Sequence, residues 1–191
     1  MNIGLYFGSF NPIHQGHLIV AQTALNQSPL DVVWFVVSPQ NPFKKKQNLL
    51  NEYDRFRMAE LAIEGNKQLL ASNVEFSLPK PSYTIDTLVH LTNRYRSYHF
   101  SLIMGSDNLR HLPKWKKADL LLKEFPIYVY PRPGSPTEWP HEAGSIEFFE
   151  APFLAISATY IRRSIRLGQS IQYLLPEKVR EYIQKGNLYG A

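Results

Sequence analysis

The sequence contains no cysteine at any of its 191 positions. Disulfide bonds, thiolate zinc sites and cysteine nucleophiles are therefore excluded, and a reducing compartment suits the chain. The amino-terminal segment lacks a basic region, a long apolar run and a cleavage signal, and no apolar stretch approaches the ~20 residues that span a bilayer. We expect a cytoplasmic protein with no membrane partner.

Long runs of one charge are also scarce. The formal net charge is +5, which would suit a polyanionic partner. The basic residues are spread along the chain, however, and cluster only at 44–46 and 162–163. Two small clusters fit a phosphorylated metabolite at least as well as a nucleic acid, so we expect no nucleic-acid partner.

The hydrophobic content of 44% over 191 residues is enough for one domain with a full core and too little for two large ones. We expect a single domain over residues 1–191, with the helices of 159–186 packed onto it. Short apolar runs rich in β-branched and aromatic residues predict strands at 3–7, 32–37, 74–76, 99–104, 127–130 and 146–149. Stretches with a period of 3.6 predict helices at 17–26, 52–64, 85–95, 109–122, 159–167 and 176–185.

Strands that alternate with helices predict a parallel sheet covered on both faces, in an α/β, Rossmann-like, doubly wound fold. Ligands of such sheets bind beyond the carboxyl ends of the strands, where the strand order reverses. The functional site is therefore expected just after Phe7, Val37, Met104 and Ile156.

The stretch "GSFNPIHQGH" at 8–17 leaves the first predicted strand at that edge. Asn11 and Pro12 predict a turn, and a helix is expected to start around His14 to His17. The first N–H groups of a helix lack intrahelical partners, so this start is an anion site. The two histidines share one face of the first turn, where each can donate a hydrogen bond to phosphate and either could be cationic.

Other interpretations of these histidines are ordinary surface or core packing, or a metal pair. Two histidines without a nearby acidic or cysteine ligand make a poor metal site. The stretch is neither a GxGxxG loop nor a lysine-bearing P-loop.

The stretch resembles the HxGH signature of the nucleotidyltransferase superfamily of α/β phosphodiesterases, whose members transfer a nucleotidyl group from a nucleoside triphosphate to a phosphorylated acceptor. The resemblance implies that His14 and His17 contact the triphosphate and stabilise the transferring phosphate. It also implies further ATP contacts at Gly8, Ser9, Phe10 and Gly16, and an acceptor contact at Asn11.

Later motifs resemble those of the bacterial nicotinate mononucleotide adenylyltransferases. "SPQNPFKKK" is similar to a loop of that family, in which Lys44 matches a lysine and Phe43 replaces the usual histidine. Because Lys44 comes soon after a strand's carboxyl end, we expect a phosphate contact there. Lys45 and Lys46 are interpreted as a solvated face.

Two central motifs extend the resemblance. "PSYTIDTL" is similar to the segment that receives the nicotinate ring, through Tyr83, Thr84 and nearby backbone, and its helix start could be capped by Ser82 or Thr84. "LIMGSDNLRHLPKW" matches a Gly-x-Asp sequence followed by Leu-Pro-x-Trp. The resemblance implies that Gly105 and Asp107 contact the nucleotide. It also implies that Trp115 stacks on the pyridine ring.

The last motif, "ISATYIRR", resembles the family's second triphosphate signature. The resemblance implies phosphate contacts from Ser157, Thr159 and Arg162, while Ala158 replaces a usual serine. In physical terms this is another helix start, with hydroxyl groups and an arginine one turn further on. Arg132 in "PRPG" matches a family arginine near the acceptor, although an exposed loop arginine is an open alternative.

The resemblance implies an enzyme that transfers AMP from ATP to nicotinate mononucleotide, with Mg²⁺ carried by ATP and no protein metal ligand. Three alternatives stay open. The acceptor could be nicotinamide mononucleotide, the enzyme could be a phosphopantetheine or cytidylyl transferase, or the chain could be a non-catalytic nucleotide-binding module. The sequence also leaves open whether the protein forms a homo-oligomer.

Overall fold

The computed structural model describes residues 1–39, 49–135, 145–152 and 155–190. Its sheet consists of β1 Asn2–Gly8, β2 Val32–Val37, β3 Leu69–Ser72, β4 His99–Gly105, β5 Ile127–Tyr130 and β6 Ile146–Phe148. All neighbouring strands are parallel, in the order β3-β2-β1-β4-β5-β6. The order reverses between β1 and β4, as in doubly wound α/β proteins, so the predicted fold class is confirmed.

Helices cover both faces of the sheet. They are α1 Gln15–Gln27, α2 Glu52–Ala62, α3 Thr84–Arg94, α4 Ala118–Glu124, α5 Ala158–Arg166 and α6 Glu177–Lys185. Buried side chains of α1, α2, α5 and α6 join Tyr6 and Phe35 in one core cluster. Those of α3 and α4 join Ile3 and Leu5 in a second cluster on the other face. No helix in the described ranges is long and apolar enough to cross a membrane.

The two last helices contribute to the first of these clusters. Ile161 of α5 and Val179 and Ile183 of α6 are completely buried in it. The helices of 159–186 therefore pack in the same core cluster as α1 and α2. The single-domain organisation of the whole chain stays a prediction.

The predicted strand at 74–76 is wrong, because Val74–Ser77 forms a 3₁₀ helix and the strand lies just before it, at Leu69–Ser72. The β3 sequence Leu-Leu-Ala-Ser has no β-branched or aromatic residue, so its extended form is stabilised by backbone pairing with β2 rather than by propensity. In the following segment the buried side chain is Glu75, whose carboxyl group accepts hydrogen bonds from the Ser82 and Thr87 hydroxyl groups.

The single helix predicted at 109–122 is also wrong. Ser106–Lys114 is a 3₁₀ helix that contains Pro113, and α4 begins only at Ala118. Proline has no N–H to continue the hydrogen-bond ladder, and Lys117 adopts a left-handed conformation with φ of 52°. The break leaves Trp115 on extended backbone between the two helices.

Candidate active site

A cavity of about 770 Å³ opens at the carboxyl edge of the sheet, at the reversal between β1 and β4. Fifteen of the seventeen predicted site residues line it: Gly8, Ser9, Phe10, Asn11, His14, His17, Tyr83, Thr84, Gly105, Asp107, Trp115, Arg132, Ser157, Thr159 and Arg162. Lys44, like its neighbour Phe43, lies outside the described residues. Gly16 does not line the cavity. The structure therefore gathers motifs that are far apart in sequence around one space.

The loop after β1 is folded tightly on itself. The ring of Phe10 is buried over Gly8, where an added Cβ would lie 2.7 Å from the ring carbon Cζ. Phe10 has a positive φ of 42°, which is uncommon for a bulky residue, and the Asn11–Pro12 peptide bond is cis. Phe10 also makes an edge-to-face contact with His17, with ring centroids 5.1 Å apart.

The two signature histidines form a pair. Their rings stack with centroids 3.6 Å apart, and the backbone N–H of His14 donates to Nδ1 of His17 at 3.1 Å. Because Nδ1 of His17 is an acceptor, a neutral His17 carries its hydrogen on Nε2. The sequence thus correctly predicts the shared face of the two side chains, and the structure adds the tautomer.

His14 differs from the expectation that either histidine could be cationic. Burial, helped by the positive charge of Arg132, lowers the pKa of His14 to about 4. At neutral pH His14 is therefore neutral. Its Nδ1 is buried and hydrogen-bonds to no group that the structure describes.

Gly16 does not line the cavity but lies against the ring of His14. A Cβ at this position would lie 3.1 Å from Nδ1 and 3.2 Å from Cε1 of His14. These distances are tight enough that a side chain would require the His14 ring to shift.

Asn11 is the centre of a second set of contacts. Its side-chain oxygen accepts hydrogen bonds from the Tyr189 hydroxyl at 2.8 Å and from the Leu50 N–H at 3.2 Å. Its backbone oxygen accepts from Nη1 of Arg162 at 2.7 Å. Asn11 was predicted to contact the acceptor, but the structure engages its side-chain oxygen within the protein. The predicted acceptor contact at this position stays a prediction.

The second predicted anion site lies at the start of α5. The Ser157 hydroxyl accepts from the backbone N–H of Tyr160 at 3.2 Å and caps the helix. Arg162 donates from Nη2 to the Thr159 hydroxyl at 3.3 Å, in addition to its bond to Asn11. The arginine therefore links the two phosphate-binding motifs predicted from the sequence.

Asp107 and Arg132, which follow β4 and β5, face each other in the cavity wall, with Nε 3.8 Å from Oδ1. Gly105 makes this approach possible, because a Cβ there would collide with the Asp107 carboxylate and lie 3.2 Å from the Arg132 side chain. The Ser106 hydroxyl holds the loop by accepting from the backbone N–H of Arg132 at 2.9 Å. This contact places Arg132 in the cavity wall.

Tyr83, Trp115 and Lys116 form a separate part of the wall. The Lys116 ammonium lies 4.6 Å from the centroid of the Tyr83 ring and pairs with Asp86 at 2.7 Å. Helix α3 begins at Thr84, and the residue at its N-cap is Tyr83 rather than Ser82 or Thr84, without a side-chain hydrogen bond. Thr84 and Ile85 of its first turn line the cavity, and the first intrahelical donor is the N–H of Asp86, which bonds to the Tyr83 carbonyl at 3.0 Å. The N–H groups of Thr84 and Ile85 precede that donor.

Several tyrosines of the site were missed by the sequence analysis. The buried hydroxyl groups of Tyr6 and Tyr130 lie 2.9 Å apart, and Tyr6 packs edge-to-face on His17 at 6.1 Å. Burial raises the pKa of Tyr6. Both residues belong to apolar strand patterns, and Tyr189 lies 178 residues from its partner Asn11. For Tyr6 and Tyr130, the sequence feature that could have indicated a place in the site is a hydroxyl group near the carboxyl end of a predicted strand.

Within the described ranges, no group of three or more histidine, cysteine, aspartate or glutamate residues could hold a metal ion.

Residues 5–164 match the family described as cytidylyltransferase-like, and the chain belongs to this family of nucleotidyltransferases. Its sequence is 50% identical over 189 residues to a probable nicotinate-nucleotide adenylyltransferase of Cytophaga hutchinsonii, a match that covers 99% of this chain and 98% of the relative. It is 48% identical to the protein of that name from Flavobacterium psychrophilum, with 99% of each chain covered. Within the family, the chain belongs with the nicotinate-nucleotide adenylyltransferases.

The fold is also similar to a solved structure, the Plasmodium falciparum nicotinic acid mononucleotide adenylyltransferase complexed with NaAD. The TM-score is 0.81 at 22% sequence identity, and the match covers 99% of this chain and 97% of that chain. This likeness supports the nucleotidyltransferase fold.

Proposed function

We propose that this protein transfers the AMP group of ATP to nicotinate mononucleotide, which forms nicotinate adenine dinucleotide and pyrophosphate. The observation that carries the proposal is the cavity itself. It combines two helix starts suited to phosphate, at α1 and α5, with an aromatic wall at Tyr83 and Trp115 suited to a flat ring. The names of the full-length relatives support the same reaction.

The acceptor supplies the nucleophile in this reaction. An oxygen of its 5′-phosphate, already anionic near neutral pH, forms a bond to the α-phosphorus of ATP while the bond to pyrophosphate breaks. The protein needs no general base, and its task is to position two anions and to neutralise the charge that builds between them. This requirement accounts for a site built of histidines, arginine and helix starts.

We assign phosphate binding to four side chains. His14 and His17 donate hydrogen bonds as neutral or protonated imidazoles, Arg162 contributes a fixed positive charge, and Lys44 is predicted to add a second. Gly8, Ser9, Phe10, Gly16, Gly105, Asp107, Ser157 and Thr159 form the remainder of the ATP site. A divalent cation, Mg²⁺ in our proposal, arrives with ATP and is held by its phosphate oxygens and water.

The acceptor's ring is proposed to lie between Tyr83 and Trp115. The first N–H groups of α3 are suited to bind a carboxylate, which favours nicotinate over nicotinamide mononucleotide. Thr84, Asn11 and Arg132 complete the proposed acceptor site.

The experiment is pyrophosphate release from ATP and Mg²⁺ with nicotinate mononucleotide, and separately with nicotinamide mononucleotide, phosphopantetheine or no acceptor. Turnover on the acid form alone is the expected result. Turnover on a different acceptor would contradict the substrate assignment, and nucleotide binding without turnover on any acceptor would favour a non-catalytic module.

A further inference from the structure

Arg55 of α2 is completely buried, yet it faces backbone carbonyls instead of a carboxylate. Its Nη1 donates to the carbonyl oxygens of Ser9 at 2.6 Å and Ser38 at 2.8 Å. Its Nε donates to Leu50 at 2.9 Å, and its Nη2 to Pro39 at 3.1 Å. Burial of a guanidinium is costly unless its donors are satisfied. Here the donors bind carbonyl oxygens of the segments that follow β1 and β2, so Arg55 joins these two segments.

Glu75 is a second buried charged side chain, with 2% of its surface exposed. Its Oε2 accepts from the Ser82 hydroxyl and its Oε1 from the Thr87 hydroxyl, both at 2.9 Å. Burial raises the pKa of this carboxyl group, and hydrogen bonds from the Thr87, Ser38 and Ser82 hydroxyl groups oppose that rise. Ser82 and Thr87 flank the start of α3, so the carboxylate holds the segment that presents Tyr83 and Thr84 to the cavity.

Ser38 connects these two buried groups. Its carbonyl oxygen binds Arg55 and its hydroxyl binds Glu75, while its backbone N–H donates to the Gly8 carbonyl at 2.9 Å. A continuous set of hydrogen bonds therefore runs from the loop after β1, through Arg55, Ser38 and Glu75, to the start of α3. We call this set the Arg55–Ser38–Glu75 bridge.

We propose that the three residues of the bridge are positioning residues, which fix the distance between the phosphate-binding loop and the wall that receives the pyridine ring. The inference rests on the proposed function, because it assigns these two walls to two parts of the reacting pair. The mononucleotide has a set length from ring to phosphate. The spacing of the two walls therefore decides how its phosphate oxygen meets the α-phosphorus, and a displacement of about 1 Å can cost on the order of 100-fold in rate.

The decisive variant is Ser38→Ala, because it removes the hydroxyl and keeps the carbonyl that binds Arg55. We expect kcat to fall about tenfold, while the Kd values of nicotinate mononucleotide and of a non-hydrolysable ATP analogue, each measured alone by calorimetry, change less than about threefold. Ser38→Thr retains a hydroxyl and should restore most of kcat. The matched control is Ser77→Ala, an exposed serine whose hydroxyl donates within its own 3₁₀ helix.

Variants at the two ends of the bridge test it separately. Glu75→Gln keeps the side-chain volume and replaces one acceptor oxygen with an amide NH₂ group, with Glu60→Gln, at a half-exposed side chain of α2, as its control. We expect Glu75→Gln to lower kcat about as much as Ser38→Ala, and the double variant to be little worse than either, because both break the same connection.

The proposal is overturned if Ser38→Ala retains the kcat of the wild type. It is also overturned if Ser38→Ala changes Kd or the unfolding midpoint instead of kcat. A third contrary result is that the effects of Ser38→Ala and Glu75→Gln on kcat multiply independently in the double variant. A failure of the proposed function has a different signature, since the wild-type protein itself would not turn over nicotinate mononucleotide. In that case the same variants are compared with the acceptor that the wild type uses.

Discussion

His17 lies with its ring stacked on His14 and its Nδ1 bound to the backbone N–H of that residue. The contact fixes both the ring orientation and the tautomer of His17, so that Nε2 is the donor of the neutral side chain. A donor held in place before substrate binds has little to reorganise as charge develops on the transferring phosphate.

We predict that His17→Ala lowers kcat by about 100-fold or more and raises the KM for nicotinate mononucleotide far less, because the lost hydrogen bond matters most in the transition state. Steady-state pyrophosphate release checks this. His99→Ala, at the exposed amino end of β4, is the matched control. Near-normal turnover of the His17 variant would remove this residue from the catalytic group.

The buried, neutral His14 predicts a pH dependence of stability. Its pKa is about 4 in the folded protein and ~6.5 when unfolded, so the unfolded chain binds more protons between these values. The free energy of unfolding should therefore rise by about 2–3 kcal/mol between pH 4.5 and pH 7.5 through this residue alone.

Urea unfolding of the wild type and of His14→Gln at both pH values measures the effect. Burial raises the pKa of Glu75 in the folded protein, so Glu75 contributes to the pH dependence in the opposite sense. The difference between the two proteins isolates His14, and an identical pH dependence in both would contradict the neutral buried imidazole.

Trp115 should govern acceptor binding. Trp115→Ala removes the proposed stacking surface, and we expect the KM for nicotinate mononucleotide to rise about tenfold or more with the KM for ATP nearly unchanged. Trp115→Phe should retain part of the affinity. Trp34→Phe is the control, because Trp34 packs against Tyr95 and Phe100 instead of lining the cavity. A selective loss of ATP binding would argue against the stacking role.

Tyr189 should affect the rate through Asn11. Tyr189→Phe removes one hydrogen bond, worth about 1 kcal/mol, and we expect kcat to fall roughly fivefold with a small change in the unfolding midpoint. Tyr173→Phe, at a tyrosine that is 83% exposed, should behave as the wild type does. Equal effects of the two substitutions would show that the Asn11 contact is unimportant for the reaction.

Local sequence pattern predicts most of the sheet because strands such as β2 are buried on both faces and are apolar along nearly their whole length. It fails at β3, which depends on pairing with β2, and at Trp115, where Pro113 and a left-handed Lys117 interrupt a helical pattern. In both places the decisive interaction is outside the segment or in its backbone.

The candidate site divides in the same way. The residues that line the cavity stand in compact motifs, so their types and spacing make them recognisable. The residues that hold those motifs in place do not belong to any such motif. Arg55 binds carbonyl groups, which every residue has, and Glu75 binds hydroxyl groups up to 37 positions away. A sequence shows no sign of such partners.

The hydrogen bond between Tyr189 and Asn11 bears on how the protein is handled. Shortening the chain before residue 189, or fusing a bulky tag close behind it, alters the environment of the loop that carries the histidine pair. Such a change should be treated as an active-site mutation and checked by kinetics, even though nothing near the histidines in sequence has been touched.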